Sequence, residues 1–285
     1  KENRQQLDDI EIKQRVPYRI PGFERYARIF GYSGEDFRDI ILPMATSSVE
    51  PTLSMGNDRP LTIFSEKPHL FYDYFKQSFA QVTNPPIDSI REGLVMSLTN
   101  YIGGLNSNLL EETPEHCRLI KFESPVIINT DLGKIKDLKD KMFVHTIIPM
   151  VFKVEEGFAG FRQSFEHLLT EAEKAVDEKK NYIILSDRPV SRDYAPIPSL
   201  LAVAAVHHHL IRKKKRMQVG IMVETGDARE VNHFALLLAY GASVINPYMA
   251  FAAIDYLVQK GEISLDYKEA RKNYIKAVDK GLLKI

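Results

Sequence analysis

The chain holds 285 residues, 44% hydrophobic and 27% charged, with 38 Lys and Arg balancing 38 Asp and Glu. That length buries a substantial core, as one large domain or two small ones, and zero formal net charge excludes the basic footprint of a nucleic-acid or anionic-membrane binder. No apolar run approaches the roughly 18–20 residues of a membrane span, so neither a membrane span nor a signal peptide is expected and the expected location is cytoplasmic.

Cys117 is the only cysteine, which rules out an internal disulfide, a CxxC pair and a cysteine-rich zinc or iron–sulfur site. The chain starts Lys1-Glu2-Asn3 without an initiator Met and stops at Ile285 directly after a helical pattern. The expectation is a piece of something larger.

Residues 1–58 read as an N-terminal helical arm. Helical periodicity covers Phe23 to Gly31 and Glu35 to Met44, and Pro17, Pro21, Pro43 and Pro51 interrupt it. With little core of its own, the arm is expected to lie on another element. Residues 59–285 carry the α/β part. Leu61 to Phe64 is a short strand candidate, followed by an aromatic helix from His69 to Val82, a stop at Asn84-Pro85-Pro86 and a helix from Ile87 to Tyr101. Pro125 to Ile128 reads as a buried strand. Strand and helix then alternate: strand Phe143 to Val151, helix Gly157 to Glu178, strand Tyr182 to Leu185, helix Ser199 to Lys213, strand Val219 to Val223, helix Asp227 to Tyr240 and strand Ser243 to Ile245. Helices Tyr248 to Gln259 and Asp266 to Lys280 finish the chain. Strands apolar throughout, with helices between them, predict parallel βα units in a (β/α) barrel or an open α/β sheet. Sites in such folds lie at the carboxyl ends of the strands. The polar residues there are Asp187 and Arg188, Glu224 and Thr225, and Asn246.

Three adjacent histidines, His207, His208 and His209, fall on one predicted helix. Successive helical residues turn by about 100°, so three in a row span about 200°. His207 shares the apolar face of Leu200, Val203 and Ile211, His208 sits at its edge, and His209 points nearly the opposite way. Ligands on a helix converge at i, i+3 or i+4, so these three cannot bind one ion. His207 is expected to be a hydrogen-bonded core histidine. The basic run Arg212 to Arg216 ends this helix, where cations complement the helix dipole.

Barrels often bind phosphate at the loops after their last two strands, through glycine backbones and a helix N-terminus. Of the two segments in that position, Glu224-Thr225-Gly226-Asp227 carries an acid on each side, and Asn246-Pro247 places a residue without an N–H where the cradle needs one. The chain has no GxGxxG, P-loop, GxSxG or HExxH. Glu224, Arg229 and Glu230 are expected to form an ion-pair cluster. No catalytic, cofactor-binding or metal-binding residue is assigned. Helix Asp227 to Tyr240 carries Val231, Phe234 and Leu238 on an inward face, and Arg229, His233, Leu236 and Tyr240 on a second stripe that would suit an inter-domain contact.

Several long segments carry a family resemblance. Met55 to Asp58 with Pro60-Leu61, Lys67-Pro68, Tyr72 to Gln77, Phe79 to Asp88, Glu111 to His116 and Glu123 to Pro125 resemble the central domain of glutamate synthase. So do Pro198 to Leu201, Val206 to His209, Arg229 to Val231, His233 to Ala235, Tyr240 to Ala242 and Asn246 to Tyr248, with one departure at Asn232, where similar sequences often have His. The resemblance implies a rudimentary, partial (β/α) TIM-barrel-like domain between an N-terminal glutaminase domain and a C-terminal FMN-binding domain with an iron–sulfur cluster. It implies a parent that moves amide nitrogen from glutamine to 2-oxoglutarate, and a non-catalytic central domain that links the two centres. The fragment itself is expected to hold no cofactor. The alternative is an independent FMN- or phosphate-binding barrel enzyme.

Overall fold

Segments apolar on both faces become the interior of a parallel sheet because no surface position is left for them. The computed structural model describes residues 10, 19–52, 61–75, 91, 94–103, 110, 113–117, 119–138 and 143–285. Its strands are β1 (Asn100–Ile102), β2 (Ile120–Phe122), β3 (His145–Pro149), β4 (Val151–Lys153), β5 (Tyr182–Ser186), β6 (Tyr194–Pro196), β7 (Gly220–Glu224) and β8 (Val244–Asn246). The α-helices are α1 (Phe23–Ile29), α2 (Leu42–Ser47), α3 (Asn129–Asp137), α4 (Gly157–Asp177), α5 (Ser199–Arg212), α6 (Val231–Ala239), α7 (Tyr248–Gln259) and α8 (Tyr267–Lys284).

The main sheet has the order β3-β5-β7-β8, parallel throughout, with Tyr182 opposite Gly220 and Met222 opposite Val244. Val126 adds a parallel bridge to Ile245, so the strand expected at Pro125 to Ile128 is reduced to one residue before α3 begins. The sheet forms no closed barrel among the described residues. Two antiparallel ribbons, β1-β2 and β4-β6, complete the β structure of the described residues.

Alternation along the strands gives the sheet two covered faces. Ile183, Leu185, Ile221, Val223 and Ile245 face the main core, which the larger helices close. Tyr182, Ile184, Met222 and Val244 face the other side, where Ile102, Ile120, Phe122, Leu132 and Ile135 cover them. The β1-β2 ribbon approaches so closely that a Cβ on Gly220 would run into Ile102. The side that would be a barrel's lumen is filled by the chain's own ribbon and α3.

The arm joins the main core. Phe23, Phe30, Ile41, Met44 and Ala45 are buried in it, and a π-helical stretch, Asp36–Ile41, precedes α2. The strand expected at Leu61 to Phe64 is instead a 3-10 turn, Thr62–Phe64, whose amides bond within the turn. The described part of the aromatic helix from His69 is the 3-10 helix Phe71–Phe75, and residues 76–82 lie outside the described residues. The helix expected from Ile87 to Tyr101 is helical at Arg91, Leu94 and Val95, but Asn100–Ile102 pairs as β1 with β2, because burial of Ile102 against Gly220 outweighs local preference. Residues 53–60, 76–90, 111 and 112, which carry part of the resemblance, also lie outside the described residues. Helix α6 starts four residues later than its pattern indicates, with Glu230 in extended backbone before it. No helix among the described residues is long and apolar enough to cross a membrane.

Candidate functional site

The polar residues predicted at the strand ends do converge, in two interlocked clusters. The first surrounds Glu224 at the end of β7. Its carboxylate accepts from Lys136 Nζ at 2.7 Å, Ser186 Oγ at 2.6 Å and Arg188 Nε at 3.0 Å. Burial by itself would raise the Glu224 carboxyl, but the charges of Lys136 and Arg188 reverse this and hold it below the ordinary range. The Arg188 guanidinium lies 4.0 Å over the Tyr248 ring. Asn246, the register partner of Glu224, instead donates through Nδ2 to Ile127 O and Asn129 Oδ1.

The second cluster joins Asp187, Thr225 and Asp227. Thr225 Oγ1 stands 2.8 Å from both Asp187 Oδ2 and Asp227 Oδ1. A hydroxyl has one proton to donate. When it serves Asp227, the Asp187 oxygen facing it must carry its own. Burial, and then the charge of Asp227, push the Asp187 carboxyl up to about 8. Asp227 also accepts from Ser199 N, Ser199 Oγ and Tyr72 Oη. It therefore ties α5 and the Phe71–Phe75 helix to the turn after β7 and does not cap α6.

Binding an anion here would take free amides. The amides that lead the turn are already committed: Thr225 N donates to Asn246 O, Gly226 N to Asp187 and Asp227 N to Thr225 Oγ1. The ring of Phe30, from the arm, lies against Gly226, with Cζ 2.5 Å from where a Cβ would stand. The same ring meets Tyr248 edge-on at 6.2 Å. The end of the sheet is closed by acids and by an aromatic from this chain, and these residues do not fit a phosphate.

Next to the clusters, Arg229 is 2% exposed and reaches back to the arm. It donates to Asp36 Oδ1 at 3.0 Å, Phe30 O at 3.0 Å and Gly31 O at 2.8 Å, and its guanidinium lies 4.2 Å over Tyr32. The ion cluster expected for Glu224, Arg229 and Glu230 is divided, with Glu224 on Lys136 and Arg188 and Arg229 on Asp36. The stripe of Arg229, His233, Leu236 and Tyr240 is largely covered within this chain. Arg229 and His233 are buried, Leu236 and Tyr240 half-buried, Tyr72 stacks on His233 at 4.1 Å, and Phe75 meets Tyr240 at 5.6 Å.

The three histidines separate as the helical geometry requires. His207 is half-buried and accepts from Arg216 Nε at 2.9 Å; its ring fills the space beside Gly241, whose φ of 106° and lack of a Cβ admit it. His208 is exposed. His209, expected to face away from the core, meets Glu173 of α4 at 2.9 Å. Lys213 and Lys215 join the same carboxylate, so the basic run pairs with a neighbouring helix in addition to lying at a helix end. Cys117 is exposed, and no group of three His, Cys, Asp or Glu among the described residues is placed to hold a metal ion.

A family model described as the glutamate synthase central domain matches residues 25–285. A ferredoxin-dependent glutamate synthase of Pyropia yezoensis is 46% identical over 268 residues, covering 90% of this chain and 17% of its own length. The large chain of the NADPH glutamate synthase of Bacillus subtilis is 39% identical, over 90% of this chain and 17% of its own. The chloroplastic ferredoxin-dependent enzyme of Spinacia oleracea is 39% identical, over 100% of this chain and 18% of its own. The chain thus spans less than a fifth of the length of these relatives. Among solved structures, a flavocytochrome b2 mutant with benzoylformate aligns over 54% of this chain and 32% of its own, at 14% identity and a TM-score of 0.37.

Proposed function

This chain belongs to the glutamate synthase central-domain family, and from that premise we propose that it acts as a non-catalytic scaffold inside a larger synthase polypeptide. Its partners are an N-terminal glutaminase domain and a C-terminal FMN-binding domain of the same polypeptide. The parent reaction moves amide nitrogen from glutamine to 2-oxoglutarate, with FMN and an iron–sulfur cluster supplying electron transfer in the following domain. The central domain holds the two centres in fixed relation and helps shape the passage between them.

One observation carries this reading. At the strand ends, where an α/β barrel would take a ligand, the Gly226 amide is committed to Asp187 and the Phe30 ring covers its Cα. A flavin phosphate would meet Asp187 and Asp227, with Lys136 and Arg188 already engaged by Glu224 and the amides of Thr225, Gly226 and Asp227 already committed. The single Cys117 supplies too few thiolates for an iron–sulfur cluster. The residues here pin elements together: Asp227 holds α5 and the Phe71–Phe75 helix, and Arg229 holds the arm. Rigidity of that kind suits a spacer.

Titration of the chain with FMN, followed by flavin fluorescence, tests the reading. No saturable change is expected through the micromolar range. Saturable binding there would favour an independent flavin-binding barrel and end the scaffold proposal.

A further inference from the structure

The segment 61–75 is bonded mainly to itself. Thr62 Oγ1 donates to Asp73 O at 3.3 Å, Ser65 Oγ meets His69 Nε2 at 2.9 Å, and His69 faces Asp73 at 3.6 Å. Among the described residues, its hydrogen bonds to the rest of the chain all start at one side chain, Tyr72. In the helix Phe71–Phe75 only Tyr72 is buried, while Tyr74 and Phe75 are exposed. The helix lies along α6 as a strap, with the Tyr72 ring stacked on His233 at 4.1 Å and Phe75 meeting Tyr240 edge-on at 5.6 Å. A segment with one buried anchor opens more readily than the strands beneath it.

The anchor ends on a carboxylate pair. Tyr72 Oη donates to Asp227 Oδ1 at 2.8 Å, and Ser199 donates to the same side chain through N at 3.0 Å and Oγ at 2.6 Å. Only Thr225 Oγ1 separates Asp227 from Asp187, at 2.8 Å from an oxygen of each. While Asp187 holds a proton it donates to Thr225, and Thr225 donates to Asp227. Without that proton Thr225 must turn to Asp187, and Asp227 is left facing an oxygen lone pair beside a second buried charge. The other titratable groups that face Asp187 are Tyr248 of α7, whose hydroxyl bonds to it, and Tyr72 itself. Arg188, next in sequence, pairs through Nε with Glu224 and lies over the Tyr248 ring. On the far side of Tyr72, His233 accepts from Arg229 N through Nδ1 and lies 3.9 Å from Glu230.

We propose that the Phe71–Phe75 helix is a pH-gated strap: a proton on Asp187 keeps Tyr72 fastened to Asp227 and the helix over His233 and Tyr240 of α6, and loss of that proton to solvent sets the two carboxylates against each other across Thr225 and frees the strap. Burial, and then the Asp227 charge, keep the proton on Asp187 up to about pH 8, which sets the range over which the strap responds. Its release uncovers the His233 and Tyr240 stripe of α6, which the closed chain covers for itself. The device is independent of the scaffold reading.

Backbone hydrogen exchange tests this on the full-length polypeptide that carries the domain, read by mass spectrometry in peptides covering 70–75. Corrected for the intrinsic pH dependence of amide exchange, protection at Phe71–Phe75 should fall by up to about tenfold per pH unit between pH 5.5 and pH 7.5, because each opening releases one proton. Protection at β5 should stay higher throughout. In the Asp187→Asn variant, which cannot ionise, protection at Phe71–Phe75 should change less than about twofold over the same range. A flat profile in the unmodified protein overturns the proposal, and so does a slope that persists in the variant. Equal protection at Phe71–Phe75 and β5 also overturns it, since the proton would then leave only when the whole domain opens. If the variant does not fold, the profiles of the unmodified protein at these two places decide.

Discussion

The ring of Phe30 and the backbone of Gly226 are in direct contact, closer than any side chain at position 226 would permit. This contact brings the arm over the carboxyl ends of the strands. Gly226→Ala would drive a methyl group into the ring, and the arm must yield because the turn is held by Asp187. Overpacking of this kind costs about 1–3 kcal/mol. A lowered urea midpoint, with faster proteolysis of residues 19–52, is expected. The double variant Gly226→Ala with Phe30→Leu should recover part of the loss, since neighbours that clash are non-additive. Additive losses would show that the two residues act independently.

Arg229 is the second fastening of the arm. Removing its guanidinium leaves Asp36 and the carbonyls of Phe30 and Gly31 without their donor in a buried site. Breaking a buried pair from one side costs about 3–5 kcal/mol. Arg229→Met should therefore be among the most destabilising single changes in the chain by urea unfolding. Arg229→Met with Asp36→Asn, which removes the orphaned charge, should be milder than Arg229→Met alone.

These two contacts also show where the sequence could be read and where it could not. Strands β5 and β7 are buried at every position, so each stands out as an unbroken apolar run, and their polar ends were legible with them. Helix α7 was legible because Pro247 and Gly261 bracket it. Arg229 was misplaced on a helical stripe because the apolar pattern runs back to Asp227, whereas the helix begins at Val231 and leaves Arg229 in the turn. Its partner lies 193 residues away, a separation that no periodicity encodes. Strand β1 was hidden for the same reason, since its reason to be extended is Gly220 on a distant strand. Nor could spacing show that His209 would meet Glu173, which is on another helix.

Glu173 gathers His209, Lys213 and Lys215, and the hydrogen bond from Lys215, followed by that from His209, holds its carboxyl down to about 2. The Glu173→Gln variant leaves Lys213 and Lys215, at the end of α5, without the carboxylate they share on α4. Destabilisation is expected at low salt and should shrink as salt is raised, because exposed charges are screened within a Debye length. A loss independent of salt would assign Glu173 a packing role.

Asp187 sets the pH dependence in the opposite sense to a salt-bridged acid. Its carboxyl is raised in the folded chain, from the ordinary value of 3.8 to about 8, by burial and by Asp227. Between those limits the folded state holds a proton that the unfolded state has released. Stability from this group is therefore complete below about pH 4, declines as pH rises, and is gone above about pH 8, with a slope of at most ~1.4 kcal/mol per pH unit. The groups facing it are Asp227 and Thr225 on the turn, the Gly226 amide and Tyr248 of α7. Asp187→Asn keeps an acceptor for the Gly226 amide and a donor for Thr225 but cannot ionise. Urea midpoints measured from pH 5 to pH 8 should fall for the parent chain and stay flatter for the variant. Equal slopes in the two proteins would place the proton elsewhere and remove the explanation given for the close approach of Asp187 and Asp227 across a single hydroxyl.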